Sequence, residues 1–506
     1  MERLSNATLA QVPAGVATPG YDRLALPVRI VHLGAGTFQR GHQAVYTDEV
    51  MRLGGAGWGI YAASIKNPAI SQALAQQDGL YTLRVHDGAN VSARIVGSLA
   101  EAVCLADARK EVINALCSRS TEIVTLTLTE RGYHYDVATD GLDESLPEVQ
   151  LDLNAPQSAR TPIGVLAWAI FQRKKLGLPP LTLLSCDHLR ANGKVLQRVL
   201  EHYIERVQDD LGDSGLLQYF LDQYACPCSL VDRMTLPPTS ADQEANDRLL
   251  GVHDHAPVVA EVFSQWIIQD WFSSGRPAWE RAGAILVPHV APFEQAQAGM
   301  LDVGRFVLAH MGAVAGYKSL DESMAQPVIA QYVHALLEDA IVTLPKHAGI
   351  DWKVYLDKLM LRFANPGIPV SSLQSAIDGS LALREGVLPV LEARMAKGLN
   401  IERHATAIAI WMRFLMGRGE RQEELRVADP LQAAISAAVA KAGGHRTNAF
   451  DLVEALLGVE AIFKPELAQD LEFARRVTAA LQDLLSERTL GALALLNQPE
   501  KRREKA

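Results

Sequence analysis

The chain has 506 residues, 48% hydrophobic and 21% charged, with 58 acidic against 48 basic side chains and a formal charge of −10 at pH 7. This is the composition of a globular protein of roughly two to four domains, and it excludes disorder, a collagen-like rod and a small disulfide-stapled scaffold. It lacks the basic excess of a nucleic-acid binder, yet leaves room for a small anionic substrate held by a local arginine.

The first twenty residues have no apolar core of signal type, and no run reads as the roughly 18 apolar residues of a membrane helix. Strand-like and helix-like stretches then alternate. Residues 28–33 (VRIVHL) form a short β-branched run ending at Gly34, followed by a helical pattern. Residues 58–64, 81–85, 122–128 and 181–185 read as further strands, 95–98 as a partner for 81–85, and 164–175 as a helix. Such interleaving predicts a mostly parallel sheet covered on both faces, an α/β Rossmann-like N-terminal domain. Beyond Pro292 the apolar spacing is helical over 305–315, 327–343, 401–416 and 430–442, which predicts a mostly α-helical C-terminal domain. Two prolines in VPHVAP (287–292) place the boundary there, giving domains 1–291 and 292–506. The basic tail PEKRREKA is expected to be frayed.

Five scattered cysteines (Cys104, Cys117, Cys186, Cys226 and Cys228) suit a reducing compartment. The expectation is a cytoplasmic protein with no membrane or nucleic-acid partner, a monomer or a small homo-oligomer. Cys226-Pro227-Cys228 lacks the second ligand pair that structural zinc needs, and His253-Asp254-His255 reads as a polar loop, so no metal is expected.

The run Leu33-Gly34-Ala35-Gly36-Thr37-Phe38-Gln39-Arg40 lies between a predicted strand and a predicted helix. Gly34 suits a tight turn, and Gly36 lets the backbone approach a pyrophosphate, although the usual third glycine is replaced by Gln39. The second strand ends in Ser64-Ile65-Lys66-Asn67. It offers no acid for a ribose 2′-hydroxyl, and Lys66 suits a 2′-phosphate, so the cofactor reads as NAD or NADP.

These residues and others in the same order resemble the long-chain mannitol dehydrogenase family, which includes mannitol 2-dehydrogenase, D-arabinitol 4-dehydrogenase and fructuronate reductase. The matching motifs are GAGTFQRGHQA (34–44), QQDGLYTL (76–83), TLTERGY (127–133), SCDHLRANG (185–193), LVDRMT (230–235), GRPAWERAG (275–283), PFEQA (292–296), LAHMGAVAGY (308–317), RFANPGI (362–368) and DGS (378–380). The resemblance implies a Rossmann-like domain, a helical domain and metal-independent hydride transfer with a nicotinamide cofactor. The candidate cofactor residues are Gly34, Ala35, Gly36, Thr37, Phe38, Arg40 and Lys66, while the resemblance adds Glu130 as a catalytic position and Asp232 as a substrate-binding one. It gives His42 and Gln43 a part in positioning the cofactor loop.

The family's catalytic pattern, a lysine followed by an asparagine and a histidine on the helix after PFE, is replaced here by Gln297, Asp302 and Arg305. The second oxygen-binding asparagine is replaced by His188, the substrate arginine before DGS by Gln374, and a following lysine by Ala382. Glutamine cannot take a proton near neutral pH. The residues present suggest a rebuilt site in which His188 is the acid/base, Asp302 orients it, Arg305 anchors an anionic substrate, and Asp232 and Gln297 contact substrate. Positions 297, 302 and 305 share one face only if the helix rotates between them. The plain alternative is that Asp302 and Arg305 form an ordinary i,i+3 ion pair. The functional expectation is an NAD(P)-dependent oxidoreductase of a sugar-derived polyol or sugar acid. The alternatives are a silent dinucleotide- or metabolite-binding protein and an epimerase or lyase that retains NAD. Lys318 or Lys346 would restore the ordinary mechanism if either supplied the base.

Overall fold

Five parallel strands organise the N-terminal half: β1 (Val28–Leu33), β2 (Gly59–Ser64), β3 (Leu99–Cys104), β4 (Ile123–Leu126) and β5 (Thr182–Ser185), in spatial order 3-2-1-4-5. The computed structural model describes residues 1–344, 350–444 and 447–496, so the basic tail lies outside the described residues. The chain divides into two compact units, Met1–Ala291 and Pro292–Ala506.

Every residue of β2, β4 and β5 is buried, as strands covered on both faces require. Alternate residues feed two cores. Val31, Leu33, Val124 and Leu126 pack with α6 (Pro162–Lys175), whereas Ile30, Ile60, Ile123 and Leu184 belong to the opposite core. Helix α6 starts at a Thr161 cap whose hydroxyl accepts the Gly164 N–H, carries proline in its first turn, and ends in Arg173, Lys174 and Lys175. The connecting helices that border the sheet are α1 (Thr37–Gly41), α2 (Gln43–Arg52), α3 (Pro68–Ala75), α4 (Arg109–Leu116) and α5 (Pro147–Asn154).

The sequence reading had four of the five strands and missed β3. Its segment LAEAVC contains alanines and an acid, lies at the sheet edge and is only half buried, so β-propensity marks it weakly. The predicted pairing of 81–85 with 95–98 is an antiparallel hairpin, Tyr81–Asp87 with Asn90–Val96, which places Tyr81 opposite Val96. The first unit also holds strands that periodicity did not reveal. Val258–Glu261 and Thr235–Leu236 extend that hairpin, and Ser229–Asp232, Gln265–Gln269 and Ile285–Val287 form a three-stranded sheet.

The second unit is built from helices, including Pro327–Ile341, Glu402–Leu415, Gln432–Lys441 and the long Leu471–Leu496. Its first helix corrects one expectation. Residues 291–315 form a continuous 25-residue helix that is long and apolar enough to span a membrane by length and composition. However, 83% of its most apolar window is buried inside the protein, so it is a core helix. Pro292, the glycines and the polar residues of this stretch break the apolar run to the eye but not the helix.

Candidate functional site

The glycine turn is clamped from both sides. Gly34 and Ala35 donate their N–H groups to the Ala63 carbonyl at the end of β2, at 2.8 and 3.0 Å. On the β4 side, the Thr127 hydroxyl donates to the Gly34 carbonyl at 2.8 Å. Gly34 has φ +104°, and a Cβ there would lie 1.9 Å from the Thr127 carbonyl oxygen, so only glycine fits. Gly36 differs: its backbone is extended, and a Cβ would meet nothing closer than the Gly34 oxygen at 3.6 Å. The space beside Gly36 is therefore open.

That space is a cavity of about 1380 Å³ at the C-terminal edge of the parallel sheet. Its walls come from the glycine turn, the ends of β2 (Ser64–Asn67), β3 (Leu105, Ala106) and β4 (Leu128, Thr129), and α5. A bare glycine backbone facing a large groove at the point where strand order reverses is what an extended diphosphate needs. Six of the seven predicted cofactor residues, Gly34, Ala35, Gly36, Thr37, Arg40 and Lys66, line it. Arg40 does so from behind: its buried guanidinium is bonded to the carbonyls of Gly36 and Ala256, which fixes the turn.

Phe38 instead joins a neighbouring cluster. Its ring stacks on His42 at 5.1 Å and lies 5.3 Å from His188. His42 is wholly buried and bonded to the Gln265 carbonyl, and burial pushes its pKa down to about 3. Arg233 and His188 push in the same direction, whereas Asp232, buried at the end of strand Ser229–Asp232, opposes them. Phe38, His188 and Asp232 thus gather around His42. His42 itself stays neutral near pH 7 and packs against Tyr46 and Trp266.

The motif around His188 is a brace that leaves the histidine exposed. The Asp187 carboxylate accepts the N–H groups of Leu128 and Thr129 at 2.9 and 3.1 Å and the Tyr133 hydroxyl at 2.6 Å. Those contacts hold Thr129 at φ +66°, a strained value for a β-branched residue, on the cavity wall. Burial raises the Asp187 pKa, against the pull of those donors. Asn192 bonds the carbonyls of Asp187 and Ser229, and a Cβ at Gly193 would lie 2.4 Å from the Cys226 carbonyl. His188 lies between these fixed points and is exposed.

Glu130 opens the short turn Glu130–Tyr133, and its side chain lies outside the described residues. Arg109, Arg131, Arg160, His134, Glu148 and Asp152 line the cavity without having been singled out by sequence reasoning. The only advance signal was Arg131, inside the TLTERGY motif.

Gln297, Asp302 and Arg305 belong to the second unit. They lie on the 291–315 helix, which changes from α-helix (Ala291–Gln297) to a π-helical turn (Ala298–Asp302) and back (Val303–Ala315). A π turn bonds i to i+5. It supplies the rotation that a five-residue spacing needs, and Gln297, Asp302 and Arg305 are the half-buried positions of 297–305 while all others there are buried. Lys318 is exposed, and Lys346 lies outside the described residues. Asp254 of the histidine-flanked loop is a buried brace for Gln77, Thr82 and Ala256. Among the described residues, no group of three or more His, Cys, Asp or Glu is arranged to hold a metal.

The family model of the mannitol dehydrogenase Rossmann domain matches residues 28–281, and that of the mannitol dehydrogenase C-terminal domain matches 289–485. The chain belongs to the mannitol dehydrogenase family. It is 33% identical over 475 residues to D-mannonate oxidoreductase of Escherichia coli, covering 93% of this chain and 96% of that protein. Mannitol 2-dehydrogenase of Aspergillus fumigatus is 30% identical, with 95% and 96% covered. The ternary complex of Pseudomonas fluorescens mannitol 2-dehydrogenase with NAD and D-mannitol superposes with a TM-score of 0.79 at 30% identity, over 98% of this chain and 100% of that one. As a member, the protein is an oxidoreductase acting on CH–OH groups with an NAD(P)-binding Rossmann domain.

Proposed function

We propose that the protein interconverts a secondary alcohol and a ketone on a sugar-derived polyol or sugar acid, using a proton-handling set unlike the family's lysine. The observation that carries this reading is the glycine turn: Gly34 admits no side chain, and Gly36 presents bare backbone to the cavity. A nicotinamide dinucleotide held there would exchange hydride with the carbinol carbon. The chain's own residues must then handle the hydroxyl proton.

His188 is proposed for that task. It is exposed, its backbone is fixed by the Asp187 and Asn192 braces, and imidazole titrates near neutrality. Asp302 is proposed to favour the charged imidazole, and Arg305 to anchor a carboxylate by a forked pair of hydrogen bonds. Gln297, an amide on the same helix face, is suited to bond a hydroxyl but not to take its proton. Asp232 and Glu130 are proposed to support substrate binding and catalysis from the first unit.

The test is a panel of polyols and aldonic acids with both nicotinamide cofactors, run on the wild type and on His188→Ala, His188→Gln and Arg305→Gln. Loss of turnover by about 100-fold in both His188 variants, with cofactor affinity kept, supports the assignment. Arg305→Gln should raise KM for acids more than for neutral polyols. Unchanged turnover in His188→Ala removes His188 from the mechanism, and cofactor binding without turnover on any substrate makes the protein a silent binder.

A further inference from the structure

We infer that the adenosine end of the cavity is built for a phosphorylated ribose, so that the protein takes NADP(H) in preference to NAD(H), with Lys66 as the specificity-determining residue. The inference rests on the dinucleotide reading above and goes further by choosing between its two forms.

In a sheet of this strand order, the residue at the end of β2 meets the adenosine ribose, where an acid selects a 2′-hydroxyl and a base a 2′-phosphate. Here β2 ends at Ser64, and the loop onward is tied by side-chain hydrogen bonds. The Ser64 hydroxyl donates to the Asn67 carbonyl at 2.7 Å and also meets the Ser71 hydroxyl at 2.6 Å. The Asn67 side-chain oxygen caps α3 by accepting the Ala69 N–H at 3.0 Å, so it is already engaged as an acceptor. Lys66 remains, exposed and on the cavity wall.

The charge around it has the same sign. Arg131 and Arg160 join Lys66 in the lining, as does Arg109 with its guanidinium bonded to the carbonyls of Ala159 and Gln157, against two acids, Glu148 and Asp152. The Asp152 carboxylate accepts the N–H groups of Arg160 and Thr161, both at 2.8 Å, and the Thr161 hydroxyl at 2.6 Å. It is therefore an internal brace. Glu148 stands 3.7 Å from the His134 ring nitrogen. No acid of the β2 end faces the ribose, and a dianionic 2′-phosphate would enter a groove with a basic excess despite the chain's net charge of −10.

Calorimetric titration of the intact protein with 2′,5′-ADP, 5′-AMP, NADPH and NADH tests this without catalysis. The expected result is at least about tenfold tighter binding of 2′,5′-ADP than of 5′-AMP, a gap that narrows with added salt. NADPH should show the same advantage over NADH. Lys66→Met should erase the gap while leaving 5′-AMP affinity within about twofold, and Lys66→Arg should retain it. NADH binding as tightly as NADPH, or a gap that survives in Lys66→Met, overturns the inference and leaves the dinucleotide reading intact. If none of the four ligands binds, both fail together.

Discussion

Replacing Gly34 and Gly36 by alanine, one at a time, separates folding from cofactor binding, because the two glycines are needed for different reasons. At Gly34 the new Cβ would fall 1.9 Å from the Thr127 carbonyl oxygen, just past the end of β4, on a residue at φ +104°. Holding an L-residue in such a region costs about 1–3 kcal/mol, and forcing a methyl into closed packing adds about 1–3 kcal/mol. Set against a usual domain stability of about 5–15 kcal/mol, the sum is severe. At about 2 °C per kcal/mol for a unit of this size, it lowers the unfolding midpoint of the first unit by roughly 4–12 °C. At Gly36 the Cβ meets only the Gly34 oxygen at 3.6 Å in extended backbone, so stability should stay within about 0.5 kcal/mol. That methyl nonetheless occupies the surface a diphosphate would approach, and dinucleotide affinity should drop by about tenfold or more. Scanning calorimetry with NADPH and NADH titration reads both quantities. A Gly34→Ala protein as stable as the wild type, or a Gly36→Ala protein that binds cofactor normally, refutes the reading of the turn.

Acid should destabilise both units. Burial depresses the pKa of His32 and His42 in the first unit to about 3, and of His310 and His404 in the second to about 4 and about 3. A histidine depressed in the folded state contributes stability that is present above its unfolded value of 6.5 and lost as pH falls towards the folded value. At pH 5 the loss is about 2 kcal/mol for each group, so unfolding midpoints should be level above pH 7 and fall steadily below pH 6.5. His404→Leu should remove its share of that slope at little cost at pH 7, because neither ring nitrogen has a hydrogen-bond partner. An unchanged acid slope in His404→Leu counts against this account. Asp187→Asn keeps one of the two carboxylate oxygens that receive the Leu128 and Thr129 N–H groups and sets an amide N–H against the other donor. It should cost about 2–3 kcal/mol by chemical denaturation and reduce turnover by loosening the wall beside His188.

Fold class was legible because its signals are local. The buried strands are runs of Val, Ile and Leu between turns, and the helices of the second unit repeat every three to four residues. The missed β3 and the five strands between Ser229 and Val287 depend on long-range pairing. A four-residue strand such as Val258–Glu261 finds its partner more than 170 residues earlier, at Leu83–His86. In the site, the glycine turn was readable because glycine at φ > 0 leaves a mark in sequence. The cations Arg109 and Arg160 were not, since nothing near them in the chain announces a cavity that only the folded sheet edge creates. The π turn was half visible: the five-residue gap between Gln297 and Asp302 called for a rotation, but its form emerged only from the backbone.

The family motifs supply bonds that hold the scaffold together, so a resemblance in them speaks first to the fold. Several motif residues here are internal fasteners. Thr127 holds Gly34, Asp187 and Tyr133 hold the β4 loop, Asn192 ties two segments together, Arg233 bonds the carbonyls of Gly41 and Glu261, and buried Trp279 reaches the Thr47 hydroxyl. Each removes an otherwise unsatisfied buried donor or acceptor, so substitution costs stability directly. His188 is exposed, and Gln297, Asp302 and Arg305 are half-buried on one helix face whose backbone bonds are made within the helix. Motif resemblance in this chain therefore reports first on the scaffold and the dinucleotide turn, and the reaction proposed above is tested at His188, Gln297, Asp302 and Arg305 themselves.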